Sequence, residues 1–198
     1  MSPKDNISSS YSWANHFSSN YNAALEYCPN QSTIPQNSSM CFYLSTDGAA
    51  HSVSSFSTAG GLIRDGEGKW IIGYNRYLGK CTAAVVELWG IWDGLLLLQK
   101  QGYDEVIIQS DNLENVISIC ASELDGLESS LIRRNHQILA FEEKCSLNYI
   151  PRESNRVADA LAKMALMRSG NLQIFEEPPL ELQVLLKDEC NFDNVTRN

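Results

Sequence analysis

The chain has 198 residues, 43% of them hydrophobic and 20% charged, with a net charge of −9 at pH 7. That length suits one domain of ordinary size with tails, and the acidic balance argues against indiscriminate nucleic-acid binding. No apolar run reaches the roughly 18 residues of a membrane span, and Met1-Ser2-Pro3-Lys4-Asp5 opens no apolar signal block, so an intracellular protein, nuclear or cytoplasmic and not secreted, is expected.

In chain order, the first 38 residues hold nine Ser and six Asn without apolar periodicity. Residues 1–39 are therefore expected as a disordered Ser/Asn-rich segment, with the folded domain over 40–170. Cys41-Phe42-Tyr43-Leu44 is a short β-prone run that leads into Ser45-Thr46-Asp47-Gly48. Two further apolar runs, 59–64 and 70–74, flank Asp65-Gly66-Glu67-Gly68, a hairpin signal, so three antiparallel strands are predicted. From 82 to 101 the pattern is helical and very apolar, closing at Gly102 as a C-cap, which predicts a helix covered on most sides.

Val106-Ile107-Ile108 has the continuous apolar character of a strand buried in a parallel sheet. Helices are predicted from Leu113 to about Ala121 and from Leu131 to Glu143, then a strand over 147–150 broken by Pro151. A last helix runs from Arg156 to Met167, capped by Ser154 or Asn155 and ended at Gly170. The expectation is an α/β fold with a mixed five-stranded sheet, strands 1–3 antiparallel and 4–5 parallel, and helices on both faces. Residues 171–198, with six acids against two bases, read as an acidic C-terminal extension with a helix over 180–189.

The six Cys are scattered singly, with no C-x-x-C pair and three His in the chain, so neither a zinc site nor a disulfide framework is encoded. Four carboxylates stand out instead. Asp47 ends the first strand, where Asp-Gly is also a common turn pair; Gly48 would let backbone or substrate come close. Glu87 shares a helix face with Ile91, Gly94 and Leu98, so it must either escape to solvent or find a base, hydrogen bonds or a metal. Asp111 follows the buried strand, where ligands gather in open α/β sheets. It would be free to face that crevice if Asn112 caps the next helix, and would otherwise be the cap itself. Asp159, in the first turns of the last helix, reads alone as a surface acid paired with Lys163.

Together, Ser45-Thr46-Asp47-Gly48-Ala49, Glu87-Leu88-Trp89-Gly90-Ile91, Gln109-Ser110-Asp111-Asn112 and the run from Pro151-Arg152-Glu153-Ser154-Asn155-Arg156 through Asp159 to Ala162 resemble the type 1 ribonuclease H domain, in the version encoded by plant non-LTR retrotransposons. The resemblance spans about 40–167. It implies that Asp47, Glu87, Asp111 and Asp159 hold two Mg²⁺ ions, or Mn²⁺, at a scissile phosphate, and that the chain is a metal-dependent endonuclease for the RNA strand of RNA–DNA hybrids, acting as a monomer. Hard oxygen ligands suit those ions. Gly48, Ala49, Asn112, Arg152 and Arg156 are the expected substrate contacts. Trp89 and Trp92 are expected in the core rather than under bases.

Three features depart from the family pattern. Tyr149 stands where the family has a mobile His, Ala83-Ala84 replaces a short polar pair that reads the RNA minor groove, and no basic arm rich in Lys and Trp is present. Weak cleavage is the expectation. The competing reading is a retroelement-derived nucleic-acid or protein binding domain with little or no turnover.

Overall fold

The computed structural model describes residues 41–51, 55–101, 103, 105–120, 130–141, 144–167 and 170–196. The segment 1–39, the cap at Gly102 and the helix ends expected at Ala121 and Glu143 lie outside the described residues. Three strands come first, β1 (Cys41–Ala50), β2 (Ser57–Arg64) and β3 (Trp70–Gly79), followed by helix α1 (Ala83–Gln101). Next are β4 (Glu105–Ser110), α2 (Leu113–Cys120), α3 (Ser130–Phe141), β5 (Cys145–Tyr149) and α4 (Arg156–Ala165). The chain continues into β6 (Gln173–Phe175) and α5 (Gln183–Thr196).

The sheet runs β5-β4-β1-β2-β3-β6. As expected, β1, β2 and β3 pair antiparallel while β4 lies parallel between β1 and β5. The hairpin between β2 and β3 closes on Asp65, whose Oδ1 accepts from the N–H groups of Glu67 and Lys69 at 3.0 and 2.9 Å. Gly68 takes φ +82° there, a conformation glycine adopts without cost.

Adjacent residues of β2 point to opposite faces, and the two faces carry separate cores. Ile63 joins Leu44, Ile72, Tyr74, Ile91, Leu95 and Leu98 beneath α1. Leu62 belongs instead with Val157, Leu161 and Leu182 beneath α4. Helices thus cover both faces. Helix α1 is buried nearly all round, because α3 packs on its outer side and Asn135 Nδ2 donates to the Leu88 carbonyl at 3.1 Å. Trp89 is core, with the Arg76 guanidinium 5.8 Å from its ring centre. Trp92 is half-buried against the same core.

Several boundaries differ from expectation for local reasons. Ladder bonds to β1 and β5 on either side carry β4 past its apolar centre to Ser110, so Asp111 follows the strand directly. Helix α4 stops at Ala165 rather than Met167, because the next N–H groups, of Leu166 and Met167, turn to the carbonyls of Lys163 and Met164, three residues back. The sheet gains a sixth strand beyond the five expected. Gln173–Phe175, in the segment read as an extension, pairs with Gly73, Tyr74 and Asn75 and covers the outer edge of β3. No helix among the described residues is long and apolar enough to cross a membrane.

Candidate metal centre

Three of the four acids converge where the parallel pairing of β1 with β4 ends. Thr46 and Ser110 are the last register partners of β1 and β4; β1 runs on to Ala50 against β2, so Asp47, expected at the end of the first strand, lies within it, beside Asp111 just past β4. Glu87 comes down on them from the second turn of α1. One carboxylate oxygen from each of Asp47, Glu87 and Asp111 lies within 4.8 Å of the other two.

The close approach of α1 depends on Gly48. A Cβ there would fall 2.8 Å from Val86 Cγ1, 3.1 Å from the Glu87 backbone nitrogen and 3.2 Å from Glu87 Cδ. Gly48 also donates its N–H to Asp47 Oδ1 at 2.7 Å, which fixes the rotamer of that carboxylate. Ala49, next along β1, is buried, and its carbonyl accepts from Thr58 Oγ1 at 3.4 Å.

Burial pushes the Asp47 carboxyl up to about 7, aided by the charges of Asp111 and then Asp159, against the Gly48 N–H. Glu87 is pushed up to about 9, chiefly by burial and then by Asp47 and Asp111. Two acids this raised without a cation nearby are an unfavourable arrangement that a cation would relieve. Asp47 Oδ2 and Glu87 Oε2 are also buried without a hydrogen-bond partner. The buried, unpartnered oxygens of Asp47 and Glu87, with the half-buried Asp111 carboxylate beside them, form a hard donor set from three parts of the chain, which fits a divalent cation of the Mg²⁺ or Mn²⁺ type.

Asp159 stands at the margin. It is not part of the three-acid group, and its Oδ2 accepts from Lys163 Nζ at 2.6 Å. Its Oδ1 is buried and unpartnered, and its charge still acts on Asp47. Asn112 caps α2 as expected, its Oδ1 accepting from the Asn115 N–H at 3.0 Å, which leaves Asp111 to the cluster. Arg152 reaches Asp111 Oδ2 at 3.7 Å from an exposed position. Arg156 is half-exposed and pairs with Asp188 of α5, 3.8 Å off. Tyr149, at the end of β5, is 48% exposed, and Ala83 and Ala84 are exposed at the start of α1.

Asn155 has a role that the sequence did not signal. It occupies the N-cap position of α4, as expected, but its side chain makes no cap bond. Its Nδ2 instead donates to the Thr46 carbonyl at 2.8 Å and to Asp111 Oδ1 at 3.4 Å, tying α4 to β1 and to the residue just past β4. A polar residue just before a helix reads as a cap in any sequence, so its partner across the sheet stays hidden.

The sequence model of the family described as reverse transcriptase-like matches residues 45–165. The chain belongs to the reverse transcriptase-like family. This reverse transcriptase-like chain is also 29% identical over 148 residues to an Arabidopsis thaliana protein carrying the provisional name of ribonuclease H protein. The match takes in 74% of this chain and spans about a quarter of that relative, 24% of its length. Among solved structures, RNase H1 of Halobacterium salinarum superposes with a TM-score of 0.57 at 21% identity, covering 65% of this chain and 99% of that one. The N-terminal RNase H domain of a Mycobacterium tuberculosis protein does so with a TM-score of 0.57 at 19% identity, over 65% and 94%. LC11-RNase H1, crystallised with an RNA/DNA hybrid, gives 0.51 at 23%, over 64% and 99%. The fold of the reverse transcriptase-like chain is that of ribonuclease H.

Proposed function

We propose that this chain is a divalent-metal-dependent endonuclease that hydrolyses the RNA strand of RNA–DNA hybrids. The observation that carries this reading is the cluster of buried Asp47 and Glu87 with half-buried Asp111, in which burial and mutual repulsion raise the first two carboxyls. Mg²⁺ or Mn²⁺, two ions in the full arrangement, would supply a water of lowered pKa and charge stabilisation at the leaving 3′ oxygen. Asp47, Glu87 and Asp111 would hold the first ion, and Asp159 would join for the second once Lys163 lets go of it.

The remaining work falls to groups around the acids. Asn155 keeps Asp111 aimed at Asp47. Arg152, exposed beside Asp111, can meet a substrate phosphate. Arg156 lies farther round α4 and would contact the strand only beyond the scissile group. Gly48, Ala49 and Asn112 would meet the substrate next to the acids. The hybrid bound in the LC11-RNase H1 crystal supports the choice of substrate. The reading includes a monomer acting in the nucleus or cytoplasm.

Exposed Tyr149 and the Lys163–Asp159 pair favour the rival reading, a binding domain without turnover. One assay separates the two. A hybrid labelled on either strand, beside single-stranded RNA and duplex RNA, is incubated with the chain in Mg²⁺ and in Mn²⁺. Metal-dependent cutting of the RNA strand in the hybrid alone is expected. Tight hybrid binding with both strands intact would leave the rival.

A further inference from the structure

Helix α4 begins with backbone N–H groups that need acceptors, and the residue placed to serve them turns its Nδ2 to other partners, which leaves its Oδ1 buried without a partner instead of on those groups. Asn155 donates to Thr46 and Asp111 and makes no cap bond. The missing acceptor comes from α5. Glu189 Oε1 accepts from the Val157 N–H at 2.8 Å. Its Oε2 pairs with the Arg64 guanidinium of β2, and both side chains are about nine-tenths buried, at 8% exposure each. A carboxylate at a helix N-terminus also complements the helix dipole.

We infer that Glu189 is a positioning residue for the metal centre: by capping α4 at Val157 in place of the Asn155 oxygen, it lets the Asn155 side chain turn its Nδ2 onto Thr46 and Asp111 and fixes the turn that carries Asp159. The inference rests on the proposed cation site. Three further contacts brace the same element. Leu182 is buried against Leu62, Val157 and Leu161, β6 pairs with β3, and Arg156 meets Asp188. The C-terminal segment is thereby tied to the helix that completes the acid cluster, although Glu189 itself touches none of the acids' carboxylates among its hydrogen bonds.

Removing Glu189 alone would strand a buried guanidinium, so the test removes that charge in both arms. R64M/E189Q keeps an acceptor oxygen for the Val157 N–H, and R64M/E189M does not. Both are made in the full chain and checked for folding by circular dichroism. Mn²⁺ affinity is measured by calorimetry, and the Asn155 side-chain amide signal is followed by NMR without metal. Mn²⁺ binding about tenfold weaker in R64M/E189M than in R64M/E189Q is expected, the size seen when groups that orient metal ligands are lost. The Asn155 amide signal should shift in R64M/E189M alone.

Equal Mn²⁺ affinity and an unmoved Asn155 signal in the two variants would overturn the inference, whatever their melting temperatures. A parent chain that binds no Mn²⁺ would overturn the cation-site reading instead, and the Asn155 signal would still decide whether Glu189 positions that side chain.

Discussion

Lys163 Nζ lies 2.6 Å from Asp159 Oδ2, one turn along the same helix, and so pairs with the one acid of the four that stands outside the three-acid group. The Lys163 side chain is 60% exposed, so the pair is screened by solvent and its hold is modest. Lys163→Met should tighten the second of two Mn²⁺ binding events a few-fold, in line with about 0.2–1 kcal/mol for exposed pairs. The first event should stay as it is. Calorimetric titration of parent and variant measures both, and an unchanged second event would show that Lys163 does not compete for Asp159.

The raised carboxyls set a pH dependence whose sign follows from proton counting. Asp47 rises from 3.8 to about 7 and Glu87 from 4.5 to about 9 on folding. Buried Asp93, raised by burial to about 6 despite Arg76 at 2.8 Å, acts in the same direction. The folded chain therefore binds more protons than the unfolded chain across this window, and their contribution to stability is lost as pH rises through those values. In EDTA the melting temperature should fall between about pH 5.5 and about pH 8.5, and Mg²⁺ should restore more at the higher pH, where it displaces fewer protons. A melting temperature independent of pH in EDTA would contradict the crowding of Asp47 and Glu87.

Gly48→Ala places a methyl 2.8 Å from Val86 Cγ1 and 3.1 Å from the Glu87 backbone nitrogen. Backbone on a buried helix gives way poorly, so α1 should move outward at a cost of about 1–3 kcal/mol. Because Glu87 rides on that helix, the melting-temperature gain from Mg²⁺ should shrink along with stability. Thermal melts with and without Mg²⁺ test this, and a full Mg²⁺ gain in the variant would separate the helix approach from the metal site.

Turnover should respond to Tyr149 and to Ala83-Ala84 in different ways. Tyr149 is exposed at the strand end beside Ser110, its register partner, so a titratable side chain there could serve proton transfer or product release. Tyr149→His should raise kcat, and Asp47→Asn should abolish cleavage. Polar replacements at Ala83 and Ala84 should lower KM more than they raise kcat, since 2′-hydroxyl contacts act in the ground state as well as the transition state. Steady-state kinetics on a labelled hybrid separates the effects, and a silent Tyr149→His would remove Tyr149 from the account of slow turnover.

The order of strands and helices was legible because each element carries its own period: the apolar centre of β4, the near-continuous apolar run of α1, the Asp65 turn. Among the acids only Glu87 broke a local rule, a charge on an apolar helix face that turns out to be buried, while Asp47 and Asp111 read alone as a turn residue and a possible cap and stood out through the motifs around them. What stayed hidden depends on partners far along the chain. Gln173–Phe175 is too short to announce a strand without the open edge of β3. Glu189 looks like one more acid of an acidic tail, yet it meets Arg64, 125 residues away. Asn155 reads as a cap, and only the fold shows Thr46 and Asp111 within its reach.

The central claim, that three acids from β1, α1 and the end of β4 hold a divalent cation, is tested most directly by anomalous diffraction from crystals of the chain soaked in Mn²⁺. A strong anomalous peak in contact with Asp47, Glu87 and Asp111 together, lost in Glu87→Gln, is the expected result. Mn²⁺ absent from that cluster, with Asp47 and Glu87 sharing a proton between them instead, would contradict it.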